Sequence, residues 1–321
     1  MFKVSVVTNL DECRRLWERT FPQQSLTDLW EVRACFQRSF NRPACFIVAR
    51  DFRGICGLLP LSWIEEVGTY GYFPGETWEG RTWLEQNRIH ASNSLVLESM
   101  LKAVPGPYQL RYLLPDGLPP AQEQIVDEIG YLFQPGQYGF DLEAYYKEFS
   151  HKTAKRLKRE IAAFEERGLA WRFDDPADFA HLARLNIERF GERSYFADRR
   201  FTEGMRNLML LAESRGWLRM TSVLLGGEPA AVDMGCVIGG AYTLVAGGTH
   251  AAYPGVAKLI NLHHMAYACQ ERFHMVDFLC GDFSWKEMFH LTPRPLYLMA
   301  DLTRQPVPVR LPMQGRPAYV G

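Results

Sequence analysis

The sequence predicts an α+β protein in which one unit occurs twice, each unit a mixed, mostly antiparallel twisted sheet flanked by helices. Three observations predict it. Residues 217–225, 229–238 and 241–246 form three strand-like runs separated by Gly226-Gly227 and Gly239-Gly240, and paired glycines supply the positive φ that tight antiparallel hairpins need. Two helical patterns precede this meander and a third follows it, with Leu259, Leu262, Ala266, Cys269 and Phe273 spaced 3, 4, 3 and 4 apart. The first half shows a looser version of the same order: VARDFRGICGLLPL (48–61) sits where TSVLLGGEPAAVDMG (221–235) sits later. Strand and helix do not alternate throughout, which excludes a doubly wound parallel sheet.

The chain has 321 residues, 47% of them hydrophobic, and a formal net charge of −1. That length leads to an expectation of two domains, with enough apolar residues for two cores. Balanced charge gives no global field to draw in nucleic acid or anionic lipid, so any polyanion site must be local. The seven cysteines, Cys13, Cys35, Cys45, Cys56, Cys236, Cys269 and Cys280, are scattered, odd in number and free of any CxxC. A reducing compartment fits this pattern better than a disulfide framework. No apolar run reaches the roughly 18 residues of a membrane span, and the opening residues read as a strand and a helix start rather than a signal peptide. A soluble, cytoplasmic protein without integral membrane contact is expected.

In order, residues 2–8 alternate as a strand, and Asn9 can cap a helix carrying Leu10, Cys13, Leu16 or Trp17, and Phe21 on one face. A second helix is expected over 29–40. Residues 44–50, the turn Asp51-Phe52-Arg53-Gly54 and residues 55–65 read as a hairpin. The stretch 68–82, GTYGYFPGETWEGRT, is expected to be an irregular loop, and such loops often carry function. A helix from Ser92 or Ser94 to Leu101, a strand over 108–114 and a helix over 119–129 with proline in its first turn follow. A strand-like run over 131–142, broken by Pro135-Gly136, ends the first half.

Character changes at 145–167, a charged helical pattern with Leu157, Ile161 and Phe164 inside. A domain boundary is placed there, giving domains 1–145 and 146–304 and a Pro- and Gly-rich tail, 305–321. Beyond it come a strand over 169–173, a helix opened by Asp175-Pro176 and holding Phe179, Leu182 and Leu185, and a helix with Met205, Leu208, Met209 and Ala212. The meander, the helix opened by Pro254-Gly255, a short apolar run over 276–279, a short helix over 284–290 and a strand over 296–302 complete the chain. The last strand of the meander is expected to end at Gly247-Gly248, close to the next helix. Strand, glycine-rich turn and helix N-terminus aim unpaired backbone N–H groups at one point, and such a point binds anions.

Four stretches of the second half carry a family resemblance: FSHKTAKRLKREIAAFEERG, LLGGEPAAVDMGCVIGGAYTLVAGGTH, YPGVAKLINLHHMAYACQERFHMVDF and CGDFSWKEMF. Over residues 149–289 the chain resembles the GNAT acyltransferase superfamily, in particular CelD-like tandem-GNAT proteins, relatives of the FemAB aminoacyl transferases. CGDFSWKEMF is similar to a Gly-Asp-x-x-x-Lys element near the end of these proteins. The first half shares only the layout. The resemblance implies two tandem GNAT-like domains, the first on the acceptor side and degenerate. It also implies that acyl-CoA (acetyl-CoA) lies in a V-shaped gap between two splayed strands, here 242–246 and 276–279. Pantetheine would follow the first strand's edge and pyrophosphate would sit at the turn before the next helix. Gly247, Gly248, Gly255, Val256, Ala257 and Lys258 are then the cofactor-binding candidates. The family turn has Arg or Gln, two residues, Gly, one residue, then Gly or Ala. Gly255 and Ala257 fit, but Ala252 lacks the cationic or amide anchor, which leaves an aminoacyl-tRNA donor open.

Thioester aminolysis needs a group that polarises the carbonyl, a base or water chain for the amine proton and an acid for the leaving sulfur; no catalytic triad is expected. Asp233 is a charge in an apolar strand whose face also carries Ala231 and Gly235, leaving room before it. It can orient or deprotonate an amine, or simply face solvent. His250 follows the Gly-Gly pair and can act as a base, or be an ordinary loop histidine. Asp282 and Lys286, four apart, can bind an anionic or amine substrate or form a helix-start ion pair. These four are the catalytic candidates. Where many superfamily members carry a tyrosine acid, Phe283, Trp285 and Phe289 stand, which leaves that acid unassigned, with Tyr253 as a guess.

His263, His264, His274 and Cys280 match no zinc-ligand spacing, so no metal is expected. Glu76, Trp78, Arg81 and Trp83 are the substrate-binding candidates, forming either a wall of the acceptor site or part of an aromatic core. Lys152, Lys155, Arg156 and Arg159 can grip phosphates, tRNA included, or form a solvated helix face. Three functions stand side by side: an N-acyltransferase moving an acyl group from acyl-CoA to an amine such as an amino sugar or amino acid, a FemAB-type transferase drawing on aminoacyl-tRNA, and a non-enzymatic binding protein.

Overall fold

The computed structural model describes residues 1–117, 125–281 and 284–303. In chain order its elements are β1 (Lys3–Val7), α1 (Leu10–Thr20), α2 (Trp30–Phe40), β2 (Ala44–Asp51), β3 (Gly54–Ile64), β4 (Thr69–Tyr72), β5 (Thr77–Trp78), β6 (Arg81–Thr82), β7 (His90–Ala91), α3 (Ser94–Lys102), β8 (Tyr108–Leu113) and β9 (Ile125–Phe133). There follow α4 (Leu142–Tyr145), α5 (His151–Glu165), β10 (Leu169–Phe173), α6 (Asp178–Phe190), α7 (Arg199–Ser214), β11 (Leu218–Leu225), β12 (Glu228–Ile238), β13 (Ala241–Thr249), α8 (Val256–Gln270), β14 (Met275–Asp277), α9 (Ser284–Met288) and β15 (Thr292–Asp301).

Side-chain caps set several helix starts. Asn9 accepts from the Glu12 amide at 3.0 Å, Asn93 from Val96 at 3.0 Å, Ser150 from Thr153 at 3.2 Å and Asp198 from Arg200 at 2.7 Å. Each satisfies an N–H that the first turn leaves without a helical partner. Three expectations change. The stretch 68–82 is not an irregular loop: Thr69–Tyr72 pairs with β3, and β5 and β6 form a small hairpin. The chain from Ile125 is strand, not the end of a helix, and it goes on to pair with β14 at Leu132 and Phe133; residues 119–124 lie outside the described residues. Strand β13 runs on to Thr249, since Gly247 and Gly248 pair with Asp233 and Val232 instead of turning.

The chain divides into two compact units with interleaved segments. Unit 1 is Met1–Pro22, Phe40–Asp127 and the described residues from Tyr297; unit 2 is Gln23–Ser39 and Glu128–Leu296. The boundary expected near residue 145 lies inside unit 2, and the expected tail lies outside the described residues.

Unit 1 carries the strand order β1-β2-β3-β4-β8-β15, antiparallel except between β4 and β8. Unit 2 carries β9-β14-β13-β12-β11-β10, antiparallel except between β13 and β14. Each unit thus has one parallel junction, and a parallel pair needs a crossover. Helix α3 supplies it in unit 1 and α8 in unit 2. The same α+β order occurs twice, as the sequence predicts.

In unit 2, α6 packs closely on β13: a side chain at Gly248 would come within 2.7 Å of the Leu182 carbonyl oxygen. Helices α5 and α8 share apolar cores with the sheet. Phe164 of α5 and Val256, Leu259 and Ile260 of α8 pack with Val223, Leu225, Ala230 and Ala231. Farther along, Leu157, Leu262 and Met265 pack with Tyr131, Phe133, Tyr242 and Val276.

Candidate active site

Strands β13 and β14 pair at Ala241–Met275, Tyr242–Val276 and Thr243–Asp277, and then part. Two causes are visible. The register between β12 and β13 shifts between Met234–Ala246 and Gly235–Leu244, so Val245 is the extra residue of a bulge, and a bulge bends its strand. On the other side, the chain after Asp277 stays with β9: the Phe278 amide donates to the Tyr131 carbonyl at 2.9 Å, and the Tyr131 amide to the Leu279 carbonyl at 3.2 Å. Among the described residues, 244–249 therefore have no strand partner on that edge, while their other edge remains on β12.

Lys286 holds the far wall of this opening. Its ammonium, in a side chain that is buried, donates to the carbonyls of Phe278 (3.0 Å), Leu279 (2.8 Å) and Cys280 (2.8 Å). An ammonium has three N–H donors, and the wall uses three. Asp277 accepts from the Leu279 amide at 2.9 Å and pairs with Arg294 at 2.9 Å. Asp282, expected to act with Lys286, lies outside the described residues.

At the near end, α8 begins after Gly255, whose φ of 91° lies in the left-handed region that favours glycine. Lys258 pairs with Glu160 of α5 at 2.7 Å, and Arg167 lies 5.3 Å from the Tyr253 ring centre. His250 accepts from the Ala252 amide at Nδ1 (3.1 Å), so its side chain is part of the turn before α8.

Asp233 lies opposite Gly247 in the β12–β13 ladder. A Cβ at Gly247 would lie 2.3 Å from Asp233 Oδ1, so the carboxylate lies over a β13 residue that has no β14 partner. Its other oxygen, Oδ2, is 3.0 Å from His264 Nε2, and His264 Nδ1 is 3.0 Å from the Tyr242 hydroxyl. His264 and Tyr242 are 0% exposed and Asp233 is 9% exposed. A carboxylate only accepts, so Nε2 carries the proton and donates to Oδ2; in the neutral ring, Nδ1 then accepts from the Tyr242 O–H. Burial, reinforced by the Asp233 charge, pushes the Tyr242 hydroxyl well above its ordinary pKa, which keeps that proton on the tyrosine. The room expected before Asp233 is largely filled. A Cβ at Gly235 would lie 2.4 Å from the Tyr242 ring, and the carboxylate is buried rather than solvent-facing. The sequence brings up His264 only as a zinc-ligand candidate that fails on spacing, and it does not single out Tyr242. Spacing carries no signal for this chain, because its members come from three elements.

The substrate-binding candidates belong to unit 1, and two of them are interior. Glu76 is 1% exposed and accepts from the Leu84 amide at 2.8 Å. Trp78 is buried, with its ring 5.9 Å from Phe40 and Arg81 5.8 Å from its own centre. For these two the aromatic-core alternative describes the environment; Arg81 and Trp83 are half-buried.

Unit 1 has its own parallel junction, and its opening is filled. Strands β4 and β8 pair only at Tyr70–Tyr108. On the β8 side the Asn87 amide donates to the Tyr112 carbonyl (2.8 Å), and the Leu114 amide to the Asn87 carbonyl (2.9 Å). On the β4 side the Tyr72 hydroxyl donates to the Arg88 carbonyl (2.6 Å) and accepts from the Arg88 amide (3.1 Å). Leu84, Glu85, Gln86 and Asn87 are all buried.

Among the described residues no helix is long and apolar enough to cross a membrane, and no group of three or more His, Cys, Asp or Glu side chains could hold a metal ion. Among curated proteins none matches this sequence. Residues 151–287 match the acetyltransferase (GNAT) domain family. Among solved structures the fold is similar to FemX (10% identity, 92% of this chain and 96% of that one, TM-score 0.54) and to L-PGS from Bacillus licheniformis (10%, 86% and 93%, TM-score 0.54). It is also similar to a tandem GNAT protein from the clavulanic acid biosynthesis pathway (12%, 94% and 98%, TM-score 0.50). Residues 151–287 thus match the acetyltransferase (GNAT) domain family, and the chain shares its fold with FemX and with the tandem GNAT protein.

Proposed function

We propose that the protein is an N-acyltransferase that moves an acyl group from acyl-CoA to the amine of a small acceptor such as an amino sugar or amino acid. One observation carries this reading: β13 and β14 part after three pairs and leave the edge of 244–249 without a strand partner beside the start of α8. A strand edge without a strand partner suits an extended amide-bearing chain such as pantetheine, which would meet the Asn186 side chain at the Gly247 carbonyl. At the start of α8 the Val256 and Lys258 amides donate to the Tyr253 and Gly255 carbonyls, and the Gly255 and Ala257 N–H groups are those that suit a diphosphate. Ala252 supplies no cation there, but Lys258 and Arg167 stand close to the turn. Asp233, with Oδ1 over Gly247, is the group best placed to take the amine proton. His250 and Lys286 serve the turn and the wall.

Thermal shift tests the reading, because a ligand that binds the native state raises its melting point. Stabilisation by acetyl-CoA, with thiol release in the presence of glucosamine, lysine or spermidine, is expected. No shift and no release would remove it. A second reading, transfer from aminoacyl-tRNA, draws on the exposed Lys152, Lys155, Arg156 and Arg159 of α5. Salt-sensitive tRNA binding that is lost on charge reversal at Lys155 and Arg156 would favour it.

A further inference from the structure

We infer that His264 and Tyr242 are positioning residues that hold Asp233 as an oriented, ionised base for the acyl transfer proposed above. Three facts carry the inference, which rests on that reading. The Asp233–His264–Tyr242 chain is continuous, with both links at 3.0 Å. Asp233 is its only member with side-chain surface beyond a trace, 12% against 1% for His264. The free oxygen Oδ1 lies over Gly247, on the part of β13 that has left β14.

A carboxylate held at one oxygen by an oriented N–H presents its other oxygen in a fixed direction. His264 Nε2–H supplies the donor at Oδ2 and leaves Oδ1 for the substrate. The Tyr242 O–H at Nδ1 keeps the ring in the tautomer that can do so. The other groups near this chain are Thr221 and Arg219 on β11 and His263 and Tyr267 on α8. Arg219 is committed to Asp174 at 2.8 Å. His263 is held down to about 4 by burial, then by His264 and Arg219, and so adds no charge near neutrality.

In the step itself, a neutral amine attacks the thioester carbonyl and its N–H proton passes to Asp233 Oδ1. The C–S bond breaks, and the thiolate leaves and takes that proton. Asp233 returns to its ionised form, with His264 unchanged in charge throughout.

The test uses the full chain with His264→Leu, His264→Gln and Tyr242→Phe. The rate of thiol release from acetyl-CoA is read with an accepted amine, acetyl-CoA affinity by calorimetry, and the His264 tautomer by nitrogen NMR. His264→Leu should lower kcat/KM about tenfold or more, because Asp233 loses the donor that orients its carboxylate. His264→Gln, which keeps an N–H for Oδ2, should recover most of the loss. Acetyl-CoA affinity should be unchanged in all three. NMR should show the Nε2–H tautomer in the wild type and a mixture in Tyr242→Phe. An Nδ1–H tautomer in the wild type, or His264→Gln and His264→Leu with the wild-type rate, would overturn the inference. If the wild type acylates no amine, the acyl-transfer reading fails and this inference about Asp233 falls with it; activity without the tautomer overturns the inference alone.

Discussion

In unit 1 the parallel pair of β4 and β8 holds at Tyr70–Tyr108, and the opening beyond it takes the chain's own residues 84–88. In unit 2 the pair of β13 and β14 holds over three positions; beyond them no described strand pairs with the freed edge of β13, and the Asn186 side chain donates to the Gly247 carbonyl at 2.7 Å. A parallel junction that opens exposes backbone N–H and C=O groups, and each must find a partner. Unit 1 supplies partners from Asn87 and Tyr72. Unit 2 keeps its opening from closing with the Val245 bulge on one side and Lys286 under the other. The difference teaches that one topology can give a filled junction or one whose edge is left without a strand partner, depending on what the loops do.

Four changes probe that contrast, from the largest expected effect to the smallest. Lys286→Met removes the donor shared by three carbonyls of the cleft wall. Unsatisfied buried acceptors should cost about 3 kcal/mol or more in urea unfolding, and an unchanged midpoint would show that the wall stands without it. Gly247→Ala sets a methyl where Asp233 Oδ1 lies, 2.3 Å from the oxygen. Acyl transfer should fall about tenfold, since the methyl displaces the proposed base, and stability should fall by about 1–3 kcal/mol, since that carboxylate is buried and bonded to His264. Tyr72→Phe cuts the hydroxyl that grips residue 88 in unit 1. It should cost about 1 kcal/mol of stability and leave acetyl-CoA binding at one site per chain; a second site by calorimetry would mean that the filled junction was only latched.

His263→Phe is the gentlest. Burial, with His264 and Arg219 beside it, pushes the His263 imidazole down to about 4, below the unfolded value of about 6.5. The unfolded chain therefore binds a proton that the folded chain refuses. Stability is full above about pH 6.5 and declines as pH falls toward 4. A phenyl ring can keep the stack on Trp171, whose ring lies 4.3 Å away, without that proton. The acid-side decline should flatten by roughly 1 kcal/mol, given the partial exposure of the ring. Melting curves at mildly acid pH would show it.

Much of the fold was legible in the sequence, because hydrophobic spacing and caps are local. Asn9, the glycine pairs of the meander and the 3-4 spacing of α8 each led to the element observed. The errors came where distant residues decide. Gly247-Gly248 looks like a turn, yet both glycines are in a strand because Asp233 fills one side and the Leu182 backbone the other. The stretch 68–82 reads as a loop on composition, but the pairing of β4 with β3 overrides it. Residues 85–87 are polar, and nothing local says that they are buried in a junction. Likewise Asp233 was visible as a charge in an apolar run, whereas His264 and Tyr242 join it only through the packing of α8 on the sheet.

Backbone hydrogen exchange with and without saturating acetyl-CoA tests the central claim most directly. Binding of one molecule per chain, with protection at 244–249 and 255–258 and none at 69–72 or 84–88, is the predicted result. Unprotected amides across 244–249, or protection at the unit 1 junction instead, would contradict it.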